Sequence, residues 1–157
     1  MASSSFTLPS GRHLQFSTSG SPTGFPLVWL HGTPSGYPAI PALIRACTAK
    51  NLKLITFSRS GYGDSSRHEG RSIVDEVQDV KALLRHLGFE KCFVGGWSGG
   101  GAPALACAAR LEGCLGAVVI AAVAPHDAEG LDWLEGQGED SKSAVVHGQD
   151  VVEMMLT

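Results

Sequence analysis

Little in this 157-residue chain points toward a membrane, a nucleic acid or a secretory route. Its longest apolar run, Leu115 to Val123, is far shorter than the roughly 20 residues needed to cross a bilayer. The opening residues, Met1-Ala2-Ser3-Ser4-Ser5-Phe6, lack both the positive stretch and the apolar stretch of a secretory signal, so a cytoplasmic protein is expected. Basic residues are scarce as well. Twelve Lys and Arg against 15 Asp and Glu give a formal net charge of -3 and a pI near 6.0, with no block of like charge to track a phosphate backbone. Neither nucleic acid nor membrane is an expected partner. The cysteines number four, and Cys47, Cys92, Cys107 and Cys114 are widely spaced with no C-x-x-C pair. Set mostly within apolar patterns, they read as small buried hydrophobes in a reducing compartment, so no metal site and no cofactor are expected.

What remains is ordinary for a soluble globular chain, with 43% hydrophobic and 17% charged residues, and the length suits one domain with a real core. Short strand patterns at Phe6 to Leu8 and His13 to Phe16 flank the turn composition Pro9-Ser10-Gly11 and predict an opening hairpin. Pro26 to Leu30 reads as a buried strand running into the loop His31-Gly32-Thr33-Pro34. Ala42 to Lys50 has helical spacing, ended by Asn51, and Leu52 to Phe57 returns to strand. Ser72 to Leu87 is the clearest helix, with Ile73, Val77, Val80, Leu84 and Leu87 on one stripe and Gly88 as its stop. Ser72 and Asp75 stand in capping-box positions, and Asp75 and Glu76 at one end with Arg85 and His86 at the other suit the helix dipole. Leu115 to Val123 predicts one more strand. Strands alternating with helices imply an α/β fold, a mainly parallel sheet with helices on both faces.

Between two of these elements lies Gly96-Trp97-Ser98-Gly99-Gly100. The apolar Cys92-Phe93-Val94 before it is a strand pattern, and Ala102 to Leu111 after it is a helix pattern with Pro103 in its first turn. A serine on so sharp a turn is held in a strained backbone conformation with its hydroxyl exposed, and the small flanking residues let strand and helix approach. Ser98 is thus the candidate nucleophile.

Three motifs together resemble the α/β-hydrolase fold family over about Phe6 to Pro125. His31-Gly32-Thr33-Pro34 is similar to the family's HGxP oxyanion loop. Ser58-Arg59-Ser60-Gly61-Tyr62-Gly63-Asp64-Ser65 resembles its (D/S)RPGYGxS loop, with Ser60 in place of the usual proline. Gly95 to Gly101 matches its serine elbow. The resemblance implies that Ser98 is catalytic, that the amides of Thr33 and Gly99 form the oxyanion hole, and that the small-molecule substrate is an ester, lactone or thioester cleaved through an acyl-enzyme. Serine at this place argues against relatives that use aspartate there, the haloalkane dehalogenases and epoxide hydrolases. His31, Arg59 and Tyr62 are expected to order their loops, and Trp97 to be pocket wall or core, with substrate contact as the alternative.

The family supplies its general base from a histidine after its last strand and its acid usually after the strand before that. Neither strand is expected here: the fold reads as truncated after the sixth strand, with residues 1–125 the N-terminal part of the hydrolase core and 126–157 the start of a cap or a divergent tail. Asp127 is a candidate acid, since some members place it after the sixth strand. His126 beside it points elsewhere, His147 has no family counterpart, and His13, His68 and His86 are not placed to reach Ser98. Activity of the chain alone is therefore expected to be weak or absent. A sixth strand left at the sheet edge is nearly all apolar, which invites self-association, a partner, or cover by residues 140–157, and predicts marginal stability. The alternative to a hydrolase is a non-catalytic module that binds a small ligand or a protein.

Overall fold

Six strands, β1 (Ser4–Thr7), β2 (His13–Gly20), β3 (Phe25–Leu30), β4 (Leu52–Phe57), β5 (Cys92–Trp97) and β6 (Cys114–Ile120), form one sheet ordered β1-β2-β4-β3-β5-β6. They belong to a computed structural model that describes residues 3–123 together with 129, 130, 132, 135 and 136. β1 and β2 make the antiparallel hairpin, with Ser4 opposite Phe16 and Thr7 opposite His13, and β2 runs antiparallel to β4. The other pairings are parallel. Crossovers through helices α1 (Pro41–Ala49), α2 (Glu76–Leu87) and α3 (Gly101–Arg110) impose that direction.

The period-2 alternation of the central strands sorts their side chains into two cores. Val28, Leu30, Ile55, Phe57, Cys92 and Val94 lie in one cluster with Val77, Val80, Leu83 and Leu84 of α2 and Ala104 and Cys107 of α3. Leu27 and Leu54 lie in the other with Cys47 of α1, and Trp29, Leu43 and Ile44 pack around them. Helices therefore cover both faces, as the sequence pattern implies. No described helix is long and apolar enough to cross a membrane.

Local chemistry sets the element ends. Gly88 adopts φ 78 after α2, where a left-handed residue closes the last turn. Asn51, with φ 52, turns the chain from α1 into β4. The predicted helix from Ser72 begins instead as a 3-10 turn, Ile73–Asp75, with Asp75 Oδ2 accepting from Ser72 N at 2.7 Å and from Ser72 Oγ at 2.9 Å. Those bonds hold the Asp75 carboxyl below its ordinary pKa. The last strand stops at Ile120, three residues before the apolar run does, because Ala121 takes φ 49 and leaves the ladder. Among the described residues β6 pairs only with β5 and forms the sheet edge.

Met1–Val123 is one compact unit and Ala124–Thr157 a second. Within the second, Glu135 N donates to both the backbone oxygen and Oδ1 of Asp132, each at 3.2 Å. His126, Asp127, His147 and the stretch 140–157 lie outside the described residues.

Candidate active site

β5 ends at Trp97 and the chain turns at once through a 3-10 turn, Ser98–Gly100, into α3. Ser98 sits at that corner with φ 51, a left-handed conformation that a non-glycine residue rarely adopts and that costs on the order of 1–3 kcal/mol. Its side chain is half-buried. The turn is tight enough that a β-carbon on Gly100 would strike the carbonyl oxygen of Leu30 and come within 2.7 Å of that of His31. Only glycine there lets the start of α3 close on the end of β3.

That closeness brings the His31-Gly32-Thr33-Pro34 loop to the serine. A β-carbon on Gly32 would lie 3.2 Å from Ser98 Cβ, and one on Gly99 would lie 2.7 Å from Thr33 Oγ1 and 3.4 Å from Thr33 N. Ser98, Thr33 and Gly99, the three positions singled out by the sequence, thus share one small region at the carboxyl ends of the parallel strands. In open α/β sheets ligands bind at that end.

His31 is committed elsewhere. It is buried, its Nε2 accepts from Arg59 N at 3.0 Å, and its Nδ1 lies 2.7 Å from the Gly32 carbonyl oxygen. An Nε2 that accepts leaves the proton on Nδ1, where it donates to that carbonyl. Burial lowers its pKa to about 4, with the Gly32 bond opposing and the charges of Arg59 and Arg71 adding to the shift. A neutral ring with both nitrogens bonded orders the loop. His31 also lines an apolar cavity of about 330 Å³ together with Trp29, Tyr37, Leu43, Trp97 and Ile120. Trp97 is half-exposed, at 49%, and forms cavity wall rather than core.

The Ser58 to Ser65 loop stands behind Thr33. Tyr62 N donates to the Arg59 oxygen at 2.9 Å across Ser60 and Gly61, and Gly61 has φ 84, the signature of a type II turn. Proline suits the second position of such a turn, which accounts for the residue that the family resemblance leads one to expect there. Ser60 uses its hydroxyl instead: Oγ accepts from Arg12 Nη1 at 2.7 Å and donates to Asp79 Oδ2 at 3.1 Å, while Arg12 and Asp79 form a two-bonded ion pair. Arg59 Nη2 donates to Thr33 Oγ1 at 3.0 Å, its guanidinium lies 5.1 Å from the Tyr62 ring centre, and Tyr62 OH is 3.2 Å from Thr33 Oγ1.

Nothing in the sequence announced the Arg12–Ser60–Asp79 cluster, whose members are 48 and 67 positions apart along two of its contacts. Glu76, an acid of the first turn of α2 as its place in the sequence implies, is buried, accepts from Arg71 Nη1 at 2.9 Å, and has a carboxyl pKa raised by burial against the pull of Arg71 and Arg59. Of the remaining described histidines, His13 Nδ1 lies 3.3 Å from Thr7 Oγ1 and His86 stacks on Phe6, while His68 Nδ1 is buried without a hydrogen-bond partner. Among the described residues no group of His, Cys, Asp and Glu is arranged to hold a metal.

A parallel sheet with its serine on a strained strand-to-helix corner, beside a glycine loop from the neighbouring strand, defines the class of α/β folds with a nucleophile elbow. The family model for the alpha/beta hydrolase fold matches residues 26–142, and the chain belongs to that family. It is 32% identical over 110 residues to a probable proline iminopeptidase of Leptolyngbya boryana, a match covering 68% of this chain and 34% of the relative. In structure it resembles an epoxide hydrolase solved without ligand, at TM-score 0.73 and 23% identity over 93% of this chain and 50% of the other. That likeness is one of fold alone. A thermophilic esterase from Thermogutta terrifontis, with malate bound, aligns at TM-score 0.68 and 25% identity over 82% of this chain and 48% of its own. The chain spans about a third of the length of the iminopeptidase and half that of the solved proteins.

Proposed function

We propose that this chain carries the nucleophile and oxyanion half of a serine hydrolase that cleaves an ester, lactone or thioester through an acyl-enzyme. The observation that carries the reading is the position of Ser98, at φ 51 on the corner, with Thr33 and Gly99 closing around it. Ser98 Oγ adds to the acyl carbon while its proton passes to a general base. The carbonyl oxygen, now negative, takes hydrogen bonds from the amides of Thr33 and Gly99. The base returns the proton to the departing alcohol or thiol, and water then hydrolyses the acyl-serine. The iminopeptidase relative widens the candidate leaving groups to an amine. An epoxide is a poorer fit, because the related epoxide hydrolases named in the resemblance open it with aspartate where this chain has Ser98.

No described histidine contacts Ser98, so the base is the weak point, and Asp127 is at most a candidate acid. Removing the base from a serine protease lowers turnover about 10⁶-fold. The full chain should therefore react slowly with a p-nitrophenyl alkylphosphonate, and faster as imidazole is added to the buffer. In that reaction the Ser98 Oγ–phosphorus bond forms, p-nitrophenolate leaves, and imidazole takes the proton. Intact mass spectrometry reads the adduct, and Ser98→Ala should abolish it. No adduct at any imidazole concentration would sink the enzyme reading. Buried, unpaired Cys47, Cys92 and Cys107 support a cytoplasmic location.

The β6 edge favours a second reading, a non-catalytic module binding a small ligand or a protein. Val118 and Ile120 on that strand are half-exposed. Under it, Ser98→Ala would leave binding intact and remove no turnover.

A further inference from the structure

We propose that the oxyanion site beside Ser98 contains a third donor, the Thr33 side-chain hydroxyl, oriented by Tyr62 and polarised by Arg59. The proposal rests on the serine hydrolase reading above. Its starting point is that Thr33 presents both its amide and its hydroxyl to the same neighbour: a β-carbon on Gly99 would meet Oγ1 at 2.7 Å, closer than the 3.4 Å to N. Any atom held between the Thr33 and Gly99 amides is therefore next to that hydroxyl.

A hydroxyl oxygen has two lone pairs and one proton. Arg59 Nη2 fills one lone pair at 3.0 Å, and it can do nothing but donate. Tyr62 OH lies 3.2 Å away, where either hydroxyl can be the donor; with Tyr62 as the donor, it fills the other. In that arrangement both lone pairs are taken, and the Thr33 proton is left for the carbonyl oxygen of a substrate. Its strength as a donor rises because the oxygen accepts from a cation, since charge-assisted bonds polarise the next bond in a chain.

Arg59 is suited to this. It is buried, at 5% exposure, and no carboxylate among the described residues lies within ion-pair distance of it. Its Nε is buried without a hydrogen-bond partner. Its backbone amide is fixed by His31 Nε2 and its guanidinium by the face of Tyr62, so the charge is set in place before substrate arrives. A fixed positive charge one residue behind the oxygen that becomes negative is preorganised electrostatic stabilisation, with little cost of reorganisation. No proton is transferred by Thr33. It donates a hydrogen bond that tightens as the carbonyl oxygen gains charge, so its contribution belongs to the reaction rate rather than to binding of the neutral substrate. Thr33 is the catalytic group, and Arg59 and Tyr62 position it.

The test follows phosphonylation of the full chain with imidazole present, as a function of phosphonate concentration. Thr33→Ser keeps both amide and hydroxyl and should react at the wild-type rate. Thr33→Val keeps the amide and the shape, and its limiting rate should fall on the order of 10²-fold, with the half-saturating concentration unchanged. Tyr62→Phe should lower the limiting rate by less, because the hydroxyl loses its orienting donor but not Arg59, and this variant reports even if Thr33→Val fails to fold. A Thr33→Val or Tyr62→Phe chain that is folded by circular dichroism and reacts as fast as Thr33→Ser overturns the third donor while leaving Ser98 as nucleophile. Absence of a Ser98-dependent adduct in the unaltered chain overturns the hydrolase reading, and this inference falls with it.

Discussion

The two faces of the sheet are built to different standards. On the α2/α3 face the inward residues of β3, β4 and β5 are closed over, with Val28, Leu30, Ile55, Phe57 and Val94 at 0% exposure or close to it. On the α1 face the helix covers β2, β4 and part of β3, and among the described residues no helix covers the half formed by β5 and β6. There Phe25 and Phe93 meet ring to ring at 5.3 Å, Val118 pairs with Gly95 beneath Trp29, and Ile120 pairs with Trp97 at the cavity rim. The same strands supply both faces, so their composition does not explain the contrast. It comes from how many of the described helices lie on each side, α2 and α3 on one and α1 on the other. Stability is concentrated on the closed face, and the open one carries the cavity, buried His31 and the outward side of the elbow.

The sharpest way to break this comparison is a pair of truncations. Leu83, on α2 and fully buried, should cost about 2–5 kcal/mol when changed to alanine, while Val118→Ala on the open half should stay within about 0.5 kcal/mol. Urea unfolding of the full chain measures both. Equal losses would mean that Val118 is covered in solution, and that the open half is not open.

Acid should act through the other face. Burial holds the pKa of His31 at about 4 in the folded chain, below the ordinary histidine value of 6.5. Between those values the unfolded chain binds the proton and the folded chain does not, so stability is lost as pH falls from about 6.5 toward 4. A shift of that size corresponds to about 3 kcal/mol in all. His31→Gln should lower stability at neutral pH and flatten the pH dependence in that window. A pH profile of the unfolding midpoint that is the same with and without His31 would place the acid sensitivity elsewhere.

Where α2 meets the Ser58–Ser65 loop and the opening hairpin, the three are tied together by the Arg12–Ser60–Asp79 cluster. Ser60→Ala leaves two charged partners without its hydroxyl and should cost about 1.5–3 kcal/mol. Ser60→Pro loses the same bonds, yet fits the type II turn and should recover about 0.4–1 kcal/mol of that through a less flexible unfolded chain. Proline less stable than alanine would show that the turn is not of that type in solution.

Much of this architecture was legible because each cue acts locally. Gly88 after the Ser72–Leu87 stripe, Asn51 after Ala42–Lys50 and the glycines around Ser98 all specify backbone geometry within a few residues of themselves. What escaped was set by distance or by context. The Arg12–Ser60–Asp79 cluster joins a hairpin turn, a loop and a helix. Glu76 was legible as a first-turn acid but its burial was not, because nothing nearby says that Arg71 folds back over it. The end of β6 was misplaced for a similar reason: Ala121, Ala122 and Val123 continue the apolar run, and only the backbone shows Ala121 leaving the strand. Of the candidate site, the nearness of Ser98, Thr33 and Gly99 was legible from their loops. The contacts of Arg59 and Tyr62 with Thr33 were not, since side-chain hydrogen bonds across 26 and 29 residues leave no periodic trace.

The smallest effect concerns the seam between the faces, the elbow itself. Ser98 holds φ 51 although its β-carbon makes that conformation unfavourable, and glycine adopts it freely. Ser98→Gly should therefore raise stability by about 1 kcal/mol, at the lower end of the strain such a residue stores, while removing the hydroxyl that phosphonates would modify. Ser98→Ala keeps the β-carbon and the strain, and should gain nothing. The difference between glycine and alanine at this one position isolates the backbone cost from the loss of the hydroxyl. If both variants match the unaltered chain in urea, the corner is relaxed around Ser98 and strain is no part of what presents the nucleophile. If glycine alone is more stable, the chain maintains a conformation that weakens it at the residue proposed as the nucleophile.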